Sequence, residues 1–450
     1  MKIIVLNGLL GYGYTEEALE NAFLQNPDVI GVDAGSTDPG PYYLGSGTSF
    51  TDRNAVKRDL ELALPRAVKN RIPFIIGTAG GAGAQEHVEW LCKIIDEIAV
   101  KEKLTYKFAT IYSDVSTEYV LDKLKNGKLK AMGRLEATEQ TIKESNKIVA
   151  QLSIEPVIAA LDAGVDVVIC GRLCDTAIYA APAIRAGYDP GLAFHMAKIM
   201  ECGSMCCEPL SASDVLMGEI EETGFTLTPM NPIRRCTISR VAAHTMYEQV
   251  NPYYIYEPDG VIDLKNSRYE QLDERRVRVS GSVLQPAVQK TLKLEGTRLM
   301  GYRTISIAGI NDHNTILHVD EMFRGVKEFV TTNLGDVAVE DYSINLRKYG
   351  VTGQDVENGC EGNIGIVIDV VGKTEDISAA VCAVARSRML HYDYSGRKST
   401  AGNLAFPYSP SDIKMSAVYA FSLYHLCEVD DTMECANIVY GGYCDGKKTD

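Results

Sequence analysis

The sequence predicts an α/β protein whose N-terminal region, residues 1–210, is a mostly parallel, doubly wound sheet, followed by a second, α+β domain over 211–440. Three observations carry this. From Met1 to about Leu210, short apolar runs alternate with helix-spaced segments, the pattern of βα units on a parallel sheet. The apolar runs empty into loops rich in glycine and turn residues, as strand ends do in open α/β sheets. After Pro209 the texture changes to half-exposed alternation, and 450 residues exceed what one hydrophobic core usually serves.

The elements follow in order. Lys2–Leu6 reads as the first buried strand, with Thr15 as the N-cap of a helix that carries Glu16 and Glu17 in its first turn. Val29, Ile30 and Val32 form the second strand, which ends in the loop Asp33–Gly47. Asp52 caps a helix built on Val56, Leu60 and Leu64; Ile72–Ile76 is the third strand, followed by the glycine loop Gly77–Ala84 and the helix Gln85–Val100. Phe108–Tyr112 is a fourth strand, Leu121–Lys130 a solvated helix face, Glu136–Gly164 a helix interrupted near Pro156, and Asp166–Cys170 a further buried strand. Beyond Pro209, the segments beginning at Phe225, Arg276 and Arg303 alternate like antiparallel strands. Ile364–Val371 is an apolar strand before a helix, and the Pro-rich loop ending at Asp412 precedes a last helix with Tyr419, Leu423 and Leu426. Residues 441–450 read as a disordered tail.

Composition narrows the function. The formal charge of −15 argues against a nucleic-acid or anionic-membrane surface, since phosphates need basic stripes. The start, MKIIVLNGLL, resembles a first strand more than a signal peptide, and no run has the length of a membrane span, so a cytoplasmic protein is expected. The twelve cysteines do not form a disulfide framework. The spacings Cys170/Cys174 and Cys202/Cys206/Cys207 allow metal ligation, but within apolar segments they read as small buried hydrophobes.

Two loops carry the chemistry. Asp33, Ser36, Thr37, Asp38 and Tyr43 share a loop too long to be idle, with Asp33 and Asp38 as acid and base, one raised by its like-charged neighbour. A plain Asp-Pro-Gly turn is the bland alternative. The same two carboxylates can instead hold Mg²⁺; whether the protein uses Mg²⁺ or no cofactor is left open. Gly77, Thr78, Gly80, Gly81 and Gly83, at a helix N-terminus, would offer amide N–H groups to an anion. Glu86 and His87 stand beside them. The loop lacks Gly-Lys-Ser/Thr, so a carboxylate or a coenzyme phosphate fits better than a nucleoside triphosphate. Arg172 would clamp a substrate carboxylate, with Asp175 as its holder or as a helix cap. His195, Lys198 and Glu201 share one helix face, from which His195 would complete proton transfer. No Gly-x-Ser-x-Gly elbow supports a covalent hydrolase.

The motifs DAGSTDPGPYYLG (Asp33–Gly45), GRLCDTAIYAAP (Gly171–Pro182), Glu201-Cys202-Gly203, YIYEPDG (Tyr254–Gly260) and NLAFPYSPSD (Asn403–Asp412) span most of the chain. In them it resembles the acyclic terpene utilisation family, in a shorter form without the small C-terminal domain of longer relatives. The resemblance implies a cytoplasmic catabolic enzyme, a lyase or hydratase acting on a small carboxylate or its acyl-CoA thioester. It also implies a separately encoded small partner subunit. A homo-oligomer is expected. The alternative is a non-catalytic metabolite-binding or assembly subunit of a carboxylate or acyl-CoA degradation complex, for which Asp38→Asn would leave function nearly intact.

Overall fold

Five short apolar strands pair in parallel at the centre of an eleven-stranded sheet: in spatial order Lys2–Val5, Val29–Val32, Phe74–Ile76, Val167–Cys170 and Tyr106–Tyr112. They belong to a computed structural model that describes residues 1–449. Alternate residues of these strands feed two separate cores. Ile3, Val5, Ile75 and Val168 pack with the helices Ile154–Asp162, Ala177–Arg185 and Pro190–Met200. Ile4, Ile30, Phe74 and Ile169 pack with Glu16–Leu24, Arg53–Lys69 and Gln85–Glu102. Burial on both faces explains why the strands read as continuous apolar runs, and the doubly wound α/β expectation holds. Gly31 lets one helix lie directly on the sheet: a Cβ there would stand 2.7 Å from Ile178 Cγ2 and 2.8 Å from the Tyr179 ring.

The chain forms two compact units, one of Met1–Arg298 with the segment from Phe421 onward, the other of Leu299–Ala420. Residues after 210 therefore do not open a new unit at once. Leu216–Glu221 pairs antiparallel with the first strand, and Gly224–Pro229, Val277–Ser280 and Arg268–Gln271 extend the same sheet. In the second unit, Ile364–Gly372 pairs antiparallel with Tyr342–Gly350 and with Tyr302–Ile310. The helices Val319–Thr332 and Glu375–Leu390 supply Met322, Val326, Val381 and Ala385 to its core.

Three expectations about single elements are corrected. Lys147–Gln151, inside the stretch read as one broken helix, is a strand that pairs antiparallel with Lys293–Thr297. Asp412–Glu428 is a strand, not a helix. Ile413, Met415, Tyr419, Phe421 and Leu423 recur at period two along it, and that β-rich alternation outweighs the helical spacing of Tyr419, Leu423 and Leu426. The tail is a hairpin through Thr449: Asn437–Cys444 pairs with Tyr106–Tyr112, then turns through Asp445 (φ 49°) and Gly446 (φ 73°) into Lys447–Thr449. An Asp-Gly pair is the sequence signal for that turn. Asp450 lies outside the described residues. Among the described residues no helix is long and apolar enough to cross a membrane.

Candidate active site

The C-terminal ends of the parallel strands bring Asn7, Asp33, Thr78 and Arg172 to one side of the sheet, where a cleft of about 250 Å³ opens. It is bordered by Asp33, Ser36, Asp38, Asp175, Glu201 and Cys202. A larger hollow of about 430 Å³ lies beside the Asn437–Cys444 strand, but its charges, such as the Lys448–Asp96 pair at 3.5 Å, are solvated. The smaller cleft holds the unusual chemistry.

Arg172 is its fixed cation. Its Nε donates to Glu295 Oε2 at 2.8 Å, and its Nη1 donates to the Leu173 carbonyl at 2.9 Å and to Thr78 Oγ1 at 3.3 Å. Glu295 is wholly buried; its Oε1 accepts from Thr37 Oγ1 at 2.9 Å and pairs with Lys293 Nζ at 2.8 Å. Burial opposes ionisation of Glu295, yet Arg172 and Lys293 hold its pKa down to about 2. Thr78 sits at φ 27°, a backbone conformation that side chains rarely adopt, and its hydroxyl donates to the Leu173 carbonyl at 3.0 Å. Strain at Thr78 is thus held in place by the same network that orients Arg172.

The carboxyls of the cleft behave differently. Asp33 is 5% exposed; its Oδ2 accepts from the Gly35 N–H at 3.3 Å, and its Oδ1 has no hydrogen-bond partner. Burial, and next the charge of Asp175, raise its pKa well above the usual value against the pull of Arg172. Burial also raises Asp175, whose Oδ1 lies 3.6 Å from Arg172 Nη1. Glu201 Oε1 accepts from Lys198 Nζ at 2.6 Å, both side chains being buried. Burial pushes Glu201 up to about 8 although Lys198 opposes it. Glu257, also raised by burial, accepts from Thr176 Oγ1 at 2.7 Å and from the Cys174 thiol at 3.3 Å.

These shifts fix a pH dependence. The folded-state pKa of Glu201 exceeds its ordinary value of 4.5, so the folded chain binds the extra proton between pH 4.5 and about 8, and stability falls as pH rises through that window. Replacement by Gln removes this contribution. Urea unfolding at a series of pH values should show Glu201→Gln losing less stability per pH unit than the parent, by up to about 1.4 kcal/mol per unit. Equal slopes would show Glu201 to be ionised throughout.

The structure separates the residues that the sequence grouped. Asp33 and Asp38 border one cleft, but the like-charged neighbour that raises Asp33 is Asp175, and Asp38 Oδ2 instead accepts from Ser36 Oγ at 3.0 Å. Thr37 is occupied with Glu295. Tyr43 packs edge-on to Tyr42 and Phe50, beside Leu44 and Ala82; Phe50 borders the cleft and Tyr43 stands behind it. His195 is wholly buried, its Nε2 3.1 Å from Thr245 Oγ1 and its ring edge-on to Phe225; burial lowers it to about 3. It is a neutral core side chain, whereas Lys198, one turn on, reaches Glu201.

The glycine loop serves close packing. Gly77, Gly80, Gly81 and Gly83 are buried; a Cβ on Gly83 would meet Arg172 N at 2.2 Å, and one on Gly77 would stand 3.0 Å from Asp33 Oδ1. The helix amides beyond the loop are bonded within the protein, Ala84 N–H to His87 Nδ1 at 3.2 Å and Gln85 N–H to Asp114 Oδ1 at 3.1 Å. The expected anion cradle is closed by these contacts. His87 is a buried cap whose Nε2 faces the Thr48 carbonyl at 3.0 Å, and burial lowers its pKa. The sequence reading missed Glu295, Lys293 and Glu257. Lys293 and Glu295 alternate with Leu292 and Leu294 in a strand, a pattern that normally marks a solvent face.

A family profile described as acyclic terpene utilisation family protein AtuA matches residues 52–404. No curated protein and no solved structure matches the chain.

Proposed function

The chain belongs to the acyclic terpene utilisation AtuA family, and on that premise we propose that it is an acid–base enzyme of lyase or hydratase type acting on a small carboxylic acid or its acyl-CoA thioester. The observation that carries this is the cluster of buried carboxyls, Asp33, Asp175 and Glu201, held above the ordinary carboxyl range beside the fixed cations Arg172 and Lys198. A carboxyl raised as Glu201 is, to about 8, both gives and takes a proton near neutral pH, and a set of buried carboxyls shifted upward allows the division of labour acid–base enzymes use. A double bond conjugated to a carbonyl adds or loses water by such transfers.

In this reading the ionised fraction of Glu201, whose pKa is about 8, takes the proton next to the carbonyl, and the Lys198 ammonium stabilises that carboxylate before transfer. Asp33 gives its proton to the departing hydroxyl. Arg172, immobilised by Glu295 and Thr78, supplies positive potential for the substrate's carboxylate or developing enolate. A cleft of about 250 Å³ takes a small acid or the acyl end of a thioester, with the coenzyme outside. A small partner subunit belongs to the same proposal.

The test is proton exchange in D₂O, with small mono-, di- and tricarboxylates and their acyl-CoA thioesters, read by mass spectrometry. Deuterium entering next to the carbonyl, and lost in Glu201→Gln, supports the enzyme. Ligands that raise the melting temperature without exchange, in a chain that co-purifies with a partner, would instead make it a binding subunit.

A further inference from the structure

Behind the cleft, Cys206, Cys207 and Cys236 converge: their sulfurs all lie within 4.8 Å of one another, the one group of three or more potential metal-ligating side chains that gathers so among the described residues. All three are wholly buried. Register places them there. Cys207–Glu208 pairs antiparallel with Arg235–Cys236, so Cys207 and Cys236 face each other with their sulfurs 3.6 Å apart. Cys206 closes the short helical turn Gly203–Cys206 that precedes that strand.

We propose that Cys206, Cys207 and Cys236 form a closed, three-thiolate site for a soft, thiophilic metal ion of the Zn²⁺ and Cd²⁺ class. With metal–sulfur bonds of about 2.3 Å, ligand sulfurs stand on the order of 4 Å apart, the spacing already present here. The common alternative, three cysteines used as small hydrophobes, gives no reason for the sulfurs to point at one another. The Cys236 N–H donates to the Arg275 carbonyl at 3.0 Å, and Arg275 Nη2 donates to the Pro229 and Asn231 carbonyls at 2.8 Å each, which fixes the strand that carries Cys236. Binding displaces the thiol protons: a divalent ion and three thiols give a tris-thiolate complex of net charge −1 and three protons.

The site would act as a clamp. The turn between Glu201-Cys202 and Cys206 rests on the first strand's end, since a Cβ on Gly203 would lie 2.7 Å from Gly8 N. A metal there ties the cleft residues Glu201 and Cys202 to the Arg235–Cys236 strand.

The experiment uses the full chain carrying Cys360→Ser and Cys444→Ser, which removes the two exposed thiols. It is purified from zinc-supplemented cells, assayed for metal by mass spectrometry, stripped under reducing conditions and titrated with Cd²⁺. The expected result is about one equivalent of zinc as isolated, a thiolate-to-Cd²⁺ absorption that saturates at one equivalent, and a lower melting temperature after stripping. Cys206→Ser and Cys236→Ser should each abolish the absorption, with circular dichroism of Cys236→Ala as the control for folding. Folded variants that bind cadmium as the parent does overturn the proposal. So does a parent that binds none, or one isolated lighter by two hydrogens with Cys207 joined to Cys236.

Discussion

Glu295→Leu should destabilise the folded protein by about 3–5 kcal/mol, the usual result of removing one partner from a buried ion pair. The residue's position explains the size. Glu295 is wholly buried and accepts from Arg172, Lys293 and Thr37, so its loss leaves the Arg172 guanidinium with Asp175 at 3.6 Å as its nearest carboxylate. Lys293 is less affected, being 16% exposed and able to turn to water. Glu295→Gln keeps the shape and one acceptor, so it should lose less. The pH dependence has a definite sign. The folded-state pKa of about 2 lies below the ordinary 4.5, so the stability that Glu295 contributes is complete above pH 4.5 and disappears as pH falls toward 2. The gap between parent and variant in urea unfolding should therefore be full at pH 7 and close in acid. A loss under 1 kcal/mol at pH 7 would show Arg172 to be solvated, not held.

How much of this was legible depends on where burial comes from. The five parallel strands are apolar on both faces, and their apolar runs announce them without any tertiary information. The tail hairpin was legible too, in Asp445-Gly446, but a short segment of glycines and charged residues with few apolar side chains outweighed the turn signal. The long strand Asp412–Glu428 carries two periodicities, and only pairing decides between them. The loop from Asp33 and the segment from Arg172 do border the site, because strand ends in a parallel sheet must open on one side. The partners could not be read. Asp33 is raised by burial and then by Asp175, 142 positions away, and Arg172 is held by Glu295 in a strand whose alternation looks solvent-facing. Glycines carry the same ambiguity. An anion cradle and a close loop crossing both require a missing Cβ, and only the 2.2 Å approach of Gly83 to the Arg172 backbone distinguishes them.

Asp33→Asn should separate activity from stability. As the proposed acid, Asp33 contributes on the order of 10²–10⁴ in rate, and the amide, with no proton to give, should lose that factor in any water addition or elimination the chain performs. The fold should not suffer. Protonated Asp and Asn present the same outline: each keeps an oxygen at the Oδ2 position for the Gly35 N–H at 3.3 Å and leaves a donor at Oδ1, which has no partner now. The carboxylate form is the costly one in this site. Its folded-state pKa lies above the ordinary 3.8, so folding takes up a proton above that value and stability falls as pH rises toward the raised pKa. Asn carries no such slope, and the variant's melting temperature should match the parent's in acid and exceed it increasingly toward neutral pH. A slower yet more stable variant is the mark of a carboxyl buried for its chemistry. Water addition within tenfold of the parent would remove Asp33 from the acid's role and leave Glu201 with Lys198 as the proton-transfer pair. An unchanged pH slope with lost activity would mean that Asp33 works ionised, as the base.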